Sequence, residues 1–162
     1  MAENQIDYLT EIKNYHRQFA EKLKGKPKGC RNSEIVDLEK TIGFALPIAY
    51  KQYLLWMGKD YEGVFVGCDW FITDVKNNHE LVPELLRENN VAFTLSEHYL
   101  SFFSHQGYMA AWFDLPVNCE DPEVWFYGEG QGLERPIIKG RFTEFLFQDL
   151  QGLIACLSSE VK

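Results

Sequence analysis

Two adjacent segments in the first third of the chain repeat apolar residues at helical spacing, and a Gly-x-x-Leu-Pro sequence joins them. The apolar positions of the first segment are Ile35, Leu38 and Ile42. We expect Asn32 or Ser33 to be its N-cap and Gly43 to end it. The second helix should begin at Pro47, whose missing N–H costs nothing at the first helical position, and should end at Gly58. Such a hairpin must pack on an apolar surface through Ile48, Tyr50, Tyr53, Leu54 and Met57.

Helical spacing also marks the two ends and the middle of the chain. An N-terminal helix is predicted over residues 4–24, with an apolar face made of Ile6, Leu9, Ile12, Phe19 and Leu23. A C-terminal helix is predicted over residues 142–157. A middle helix is predicted from about residue 78 to residue 88, where Pro83 either lies in the first turn of a helix that starts near Val82 or kinks the initial turn.

Runs of β-branched and aromatic residues between these helices predict strands. The predicted strands cover residues 64–66, 69–75, 99–104, 108–115 and 124–127. The first two read as short strands or as one bulged strand, and the next two as a hairpin, because Gly107 between them can adopt the positive φ of a tight turn. This pattern favours an α+β fold, in which an antiparallel-rich central sheet packs, largely on one face, with N-terminal, middle and C-terminal helices.

The length of 162 residues fits a single domain, residues 1–162, in which residues 1–31 form the N-terminal helix and a basic linker. Hydrophobic residues make up 46% of the chain, yet no stretch approaches the ~20 apolar residues of a membrane span. The first ten residues are acidic and polar, and they lack the basic and apolar regions of a secretory signal. We therefore expect a cytoplasmic protein that does not enter a membrane.

The formal net charge of −8 is unevenly distributed. Residues 1–31 contain seven basic and four acidic residues, whereas residues 60–134 contain fourteen acidic residues against Lys76 and Arg87. Such a field repels phosphate backbones, which argues against direct nucleic-acid binding, and it attracts a basic protein. An acidic surface can also serve solubility alone.

No pattern of polar residues predicts catalysis, a cofactor or a metal. The four cysteines are widely separated, which favours free, buried or half-buried thiols at Cys30, Cys68, Cys119 and Cys156. His98 and His105 lie seven residues apart around one predicted strand, so their side chains point to opposite faces. A mononuclear metal site of Cys68, Asp69 and His79 stays an open alternative. The glycine-rich stretch late in the chain is not followed by the helix that a nucleotide-binding loop requires.

The helical hairpin resembles the SUKH superfamily in its pattern of Ile-x-x-Leu-Glu, Gly, Leu-Pro, Tyr-Lys and a hydrophobic turn before Gly. The matching residues are Ile35, Leu38, Glu39, Gly43, Leu46, Pro47, Tyr50, Lys51, Leu54, Leu55 and Gly58. Later segments resemble further parts of the family in the same order, so residues 32–157 form a family-like core. The founding members include a yeast cell-wall synthesis regulator, and most bacterial members are thought to be immunity proteins that bind and neutralise a toxin.

Within this pattern, Glu39, Gly43, Leu46, Pro47 and Tyr50 are interpreted as structural residues. We expect Glu39 to brace the Leu46-Pro47 connection by accepting backbone hydrogen bonds, because a buried carboxylate is costly unless it is paired. A catalytic carboxylate would look the same in the sequence.

A recognition surface for a cationic protein partner is predicted where acidic residues adjoin aromatic ones. It begins after the second helix of the hairpin with Asp60, Tyr61, Glu62, Asp69 and Trp70. The later loops would extend it, if the fold brings them together, with Glu120, Asp121, Glu123 and Glu129.

Three functions follow from these observations. The first is a non-catalytic immunity protein that binds and neutralises a basic toxin domain of the nuclease type. The second is a regulatory or scaffolding protein of the same fold that acts in cell-envelope synthesis. The third is a small-molecule-binding domain or a hydrolase, which would need a deep polar pocket with convergent groups of shifted pKa.

Overall fold

A computed structural model describes residues 5–23, 26–115 and 119–160, so part of the basic linker, residues 24 and 25, lies outside the described residues. The elements in chain order are α1 Thr10–Gln18, α2 Asn32–Ile42, α3 Ile48–Met57, a 3-10 turn Ile72–Asp74, α4 Val75–Glu88, β1 Tyr99–His105, β2 Met109–Asp114, β3 Glu123–Gly128, β4 Ile137–Arg141 and α5 Phe142–Ser159. The four strands form one antiparallel sheet in the order β1-β2-β3-β4. The predicted α+β fold is confirmed. Over the described residues, no helix is long and apolar enough to cross a membrane.

Helices cover both faces of the sheet, whereas the sequence predicted cover largely on one. Ala111 and Phe113 of β2 face the main core, to which α3 and α5 contribute. The alternate residues Ala110 and Trp112 face a second apolar cluster that contains Leu85 of α4. Because β2 is buried along most of its length, it is apolar at nearly every position and shows no alternation from which a solvent face could be predicted.

The helical hairpin at the family-like sequence forms as predicted in outline, with differences at its caps. Gly43 ends α2 in the left-handed conformation at φ 86°. The residue that precedes the first turn is Arg31 rather than Asn32 or Ser33, and its N–H donates to the Glu34 carboxylate at 2.8 Å. Pro47 is the residue before α3 rather than its first helical residue.

The N-terminal helix is shorter than the predicted range of residues 4–24, whose two end residues lie outside the described parts. The Asp7 carboxylate accepts the Leu9 N–H at 2.9 Å, and α1 begins only after this turn, which leaves Ile6 66% exposed. Beyond α1 the chain continues in tighter turns, in which Phe19 N–H donates to the His16 carbonyl at 3.1 Å.

The strands predicted over residues 64–66 and 69–75 are wrong. Residues 64–67 form turns, with Gly67 at φ 89°, and a 3-10 turn follows at Ile72–Asp74. The backbone of this segment is joined to β1 by an antiparallel bridge between Asp69 and Ser104. Its aromatic residues, which indicated a strand, instead fill the core from irregular backbone.

Two further elements differ from the sequence prediction. Helix α4 begins at Val75, so that Pro83 lies in the helix interior rather than in a first turn. Strand β4 was not predicted, because its residues are mostly exposed and half-buried and show no apolar alternation. β4 completes the sheet and leads directly into α5, whose predicted range is confirmed to within two residues.

Candidate functional site

The predicted acidic and aromatic patch after α3 divides into buried and exposed residues. Asp60 is only 7% exposed and Trp70 is fully buried. Tyr61, at 43% exposure, Glu62 and Asp69 face solvent. A partner therefore has access to three of the five residues, and a tryptophan anchor is not among them.

Asp60 connects the loop after α3 to the end of the basic linker. Its carboxylate lies against Gly63, and the Lys59 N–H donates to the Lys28 carbonyl at 3.0 Å. Burial raises the pKa of Asp60, while the charge and backbone N–H of Lys28 act in the opposite direction. We conclude that Asp60 serves the fold, which corrects its assignment as a partner-binding residue.

Trp70 and Asp69 are likewise held by contacts within the protein. The Trp70 Nε1–H donates to Oδ2 of Asp149, a residue of α5, at 2.9 Å. The Ser104 hydroxyl donates to Asp69 Oδ2 at 2.8 Å, beside the bridge that joins these two residues. Trp70 is thus a core residue and not a partner anchor, and Asp69 presents a carboxylate whose orientation is already fixed.

The second group of predicted residues has mixed roles. The carboxylate of Asp121 accepts both the backbone N–H of Thr143, at 3.1 Å, and its hydroxyl, at 2.7 Å, and so caps the start of α5. The Tyr8 hydroxyl donates to the Glu120 carboxylate. Glu123 and Glu129 are exposed.

Helix α3 separates the two predicted groups. The Glu120 carbonyl accepts the Ala49 N–H at the start of α3, whereas the Asp60 N–H donates to the Met57 carbonyl at its end. A helix of ten residues is about 15 Å long, so these groups lie at its opposite ends. The structure does not join Glu120 and Asp121 to Asp60 in one compact patch.

Acidic residues nevertheless dominate the surface of residues 60–134. Of the fourteen, eleven are exposed. Within the described ranges, one of the fourteen, Glu84, lies within ion-pair distance of a basic side chain, that of Arg87 at 3.9 Å. The remaining exposed carboxylates have no ion-pair partner among the described basic side chains.

A row of acidic residues on α4 was missed by the sequence prediction. Glu80, Glu84 and Glu88 are exposed and follow one another at four-residue spacing, so they lie on one side of the helix. The opposite side carries Val82, Leu85 and Leu86 into the second apolar cluster. The spacing within the predicted helix is the signal that could have identified this row, which we call the α4 acidic row.

Cys68 and His105 form a contact that resembles a catalytic pair, with Sγ 3.2 Å from Nδ1. Burial raises the pKa of Cys68 to about 11, and the carboxylates of Asp149 and Asp69 add to the rise. The thiolate that a nucleophile requires is therefore disfavoured. In the described parts of the chain no three side chains could share a metal ion, so Cys68, Asp69 and His79 do not form the open alternative site.

The thiols follow the predicted pattern with one exception. All four are free, and Cys156 is exposed on the last turns of α5 rather than buried or half-buried.

The family-like connection between α2 and α3 is braced by Glu39. Its Oε1 accepts the Leu46 N–H at 2.8 Å, as expected, and lies 2.6 Å from Lys51 Nζ. Because both donors belong to the protein itself, this carboxylate stabilises the connection, which argues against the alternative of a catalytic acid or base.

The helical hairpin lies within a match to a known protein family. A model of the SMI1 / KNR4 family (SUKH-1) matches residues 29–148, about three quarters of the chain, including α2, α3 and all four strands. No curated protein sequence matches the chain. The extent of the family match establishes that this chain belongs to the SMI1 / KNR4 family (SUKH-1).

Proposed function

We propose that this protein is a non-catalytic immunity protein that binds a basic toxin domain, of the nuclease type, in the cytoplasm and neutralises it. The family includes toxin immunity proteins and Smi1/Knr4 regulators. The observation that carries the proposal is the acidic surface of residues 60–134, where eleven carboxylates are exposed and one has an ion-pair partner among the described residues.

Charge complementarity explains why such a surface suits this partner. A nuclease holds a polyanion and therefore needs basic residues at its own binding site. A carboxylate-rich protein can occupy that site, and its field raises the rate of association while it repels nucleic acid.

The α4 acidic row places like charges four residues apart on one helix, which also carries Lys76 and Arg87. Like charges four residues apart destabilise a helix, and Glu88 in the last turn opposes the helix dipole. Packing of Val82 and Leu85 holds the helix in place despite this cost. A row that destabilises its own helix is expected where a cationic partner compensates for it.

The alternative of a hydrolase or small-molecule-binding domain has less support. Two grooves, of about 510 and 530 Å³, are lined mainly by apolar residues, and strong pKa shifts fall on the buried hydroxyls of Tyr50 and Tyr53 and on desolvated thiols. Such groups do not converge on a polar cleft, which acid–base chemistry would require.

Co-expression with any toxin-like protein that is found to be encoded beside this chain's gene tests the proposal. We expect a 1:1 complex and loss of toxin activity at equimolar amounts. Full toxin activity at saturating immunity protein would contradict it. Neighbouring genes for envelope synthesis, with no toxin among them, would favour the regulatory alternative.

A further inference from the structure

The sheet face that carries the second apolar cluster is only partly covered. Helix α4 packs against β1 and β2, and the β2 residues Ala110 and Trp112 in this cluster are fully buried. Trp125 of β3 pairs with Trp112 and is half-buried. Ile138 of the edge strand β4 pairs with Trp125 and is 46% exposed. This row of apolar side chains therefore runs from the core to solvent.

Two carboxylates lie on the same face of the sheet, beside this row. Side chains alternate between the two faces of a strand. Asp114 follows Trp112 by two residues in β2 and so shares its face. Glu123 precedes Trp125 by two residues in β3, where the alternation is unbroken because the bulge between these strands adds its extra residue to β4.

Both carboxylates are exposed, and neither has an ion-pair partner among the described basic side chains. We call Asp114, Glu123, Trp125 and Ile138 the sheet patch. It combines exposed apolar surface with two negative charges.

The basic residues of β4 leave these charges unpaired. Lys139 is on the other face of its strand, where its Nζ lies 4.9 Å from the centre of the Phe126 ring. Arg141 is paired with Glu123 in the strand register, but its Nη1 donates to the Asp121 carbonyl at 2.9 Å. A cation from outside the protein can therefore pair with the sheet patch.

We propose that the sheet patch binds an arginine side chain of the toxin domain. Its stem and flat guanidinium lie on the exposed apolar side chains, while its charge pairs with the two carboxylates. The inference rests on the proposed function and names a contact within it. Arginine suits both parts of the patch, because its guanidinium stacks on tryptophan and donates to carboxylates in a fixed geometry.

The tryptophan of the patch is already held in place. The rings of Phe93 and Trp125 pack with centroids 5.1 Å apart, and Phe93 also contacts Trp112. A side chain that is ordered before binding loses little freedom when it binds. Tryptophan and arginine are also the residues in which binding energy is most often concentrated.

Removing the two charges tests this contact. Asp114→Asn with Glu123→Gln keeps the side-chain shapes, and the control Glu62→Gln with Glu134→Gln removes two exposed charges elsewhere within residues 60–134. Both double variants should associate more slowly with the toxin domain, because both weaken the same field. Only the sheet-patch variant should dissociate at least about tenfold faster. Equal dissociation rates for the two would overturn the inference and leave the proposed function intact.

A matched pair of substitutions tests the apolar part of the patch. Ile138→Thr keeps the β-branched shape, and Val36→Thr on α2 is its control because Val36 is 45% exposed. Calorimetry should show at least about fivefold weaker toxin binding for I138T and unchanged binding for V36T. A change in oligomeric state of I138T with toxin affinity unaltered would make the patch a self-contact and overturn the inference.

A basic peptide keeps the inference falsifiable if these variants do not fold. Titration of the labelled wild-type protein with a short peptide of alternating arginine and leucine should shift the Trp125 indole N–H and Ile138 amide resonances. Shifts confined to other parts of the protein, or no shifts at low salt, would overturn the inference. If the peptide binds at the patch but the protein neither binds nor neutralises the toxin, the proposed function itself fails.

Discussion

The Tyr99 hydroxyl donates a hydrogen bond of 2.7 Å to the carbonyl oxygen of His79. His79 lies four residues before Pro83, so its carbonyl is the one that an N–H at position 83 would have satisfied. The Tyr99 and His79 rings also stack with centroids 4.2 Å apart. A side chain at the start of β1 thus replaces the hydrogen bond that proline removes from α4.

We expect Tyr99→Phe to lower the free energy of unfolding by about 0.5–1.5 kcal/mol, because the His79 carbonyl loses its partner. In a Pro83→Ala background the helix supplies an N–H to this carbonyl, so the same change should cost less. Denaturant unfolding of the two single variants and the double variant measures the coupling. Additive costs would show that the two residues do not share this carbonyl.

The adjacent buried tyrosines Tyr50 and Tyr53 should respond differently to loss of their hydroxyls. The Tyr53 hydroxyl donates to the Trp70 carbonyl at 2.9 Å, whereas the buried Tyr50 hydroxyl has no hydrogen-bond partner among the described residues. Tyr53→Phe should therefore cost about 1–3 kcal/mol, and Tyr50→Phe should be neutral or stabilising. Equal costs in denaturant unfolding would contradict this assignment.

Asp60 and Glu62 lie two residues apart, and we expect substitution of the buried Asp60 to lower the free energy of unfolding more than the same substitution of the exposed Glu62. Asp60→Asn keeps the shape but weakens the contact with Lys28, and Asp60→Lys should lower the free energy of unfolding by about 1–3 kcal/mol. Glu62→Lys on the exposed side of the loop should change it by less than about 0.5 kcal/mol. Thermal unfolding of the two lysine variants is the measurement, and an equal loss would mean that Asp60 is not structural.

His16 should make the protein less stable in mild acid. It is 5% exposed, packs against Trp56, and burial lowers its pKa below the usual 6.5. The unfolded chain therefore binds a proton that the fold excludes, so stability is complete above pH ~6.5 and falls as the pH drops below it.

His16→Gln removes this proton-binding difference and should show a smaller loss between pH 7.5 and pH 5. The raised pKa values of Asp74 and Asp149 affect stability with the opposite sign towards pH 4. Because both proteins contain these two carboxyl groups, the difference between variant and wild type isolates His16. Parallel pH profiles for the two proteins would refute the assignment.

The sequence predicts best where local contacts decide the structure. Gly43 ends α2 because the chain needs a left-handed residue there, and Glu39 braces Leu46 seven positions away. The position of Pro83 within its helix was predicted wrongly, because the hydrogen bond that replaces the missing one comes from Tyr99, which is distant in sequence. The aromatic residues Phe65 and Trp70 indicated a strand because composition does not distinguish a core-filling turn from a sheet.

The candidate site was harder to predict than the fold, because charge in a sequence does not reveal burial. Asp60 and Trp70 read as surface residues and lie inside, while Asp121 caps α5. The α4 acidic row was recognisable from spacing alone, since it needs only a helix whose other side is buried.

Charge reversal on α4 tests the central claim most directly. The variant Glu80→Lys, Glu84→Lys, Glu88→Lys is compared with a control of equal charge change, in which three exposed acidic residues outside residues 60–134 are reversed, namely Glu11→Lys, Glu21→Lys and Asp37→Lys. Stopped-flow association with the toxin domain is measured at several salt concentrations. The account predicts at least about a tenfold lower on-rate and a weaker salt dependence for the α4 variant, and a much smaller effect for the control. Equal on-rates for the two variants would contradict it.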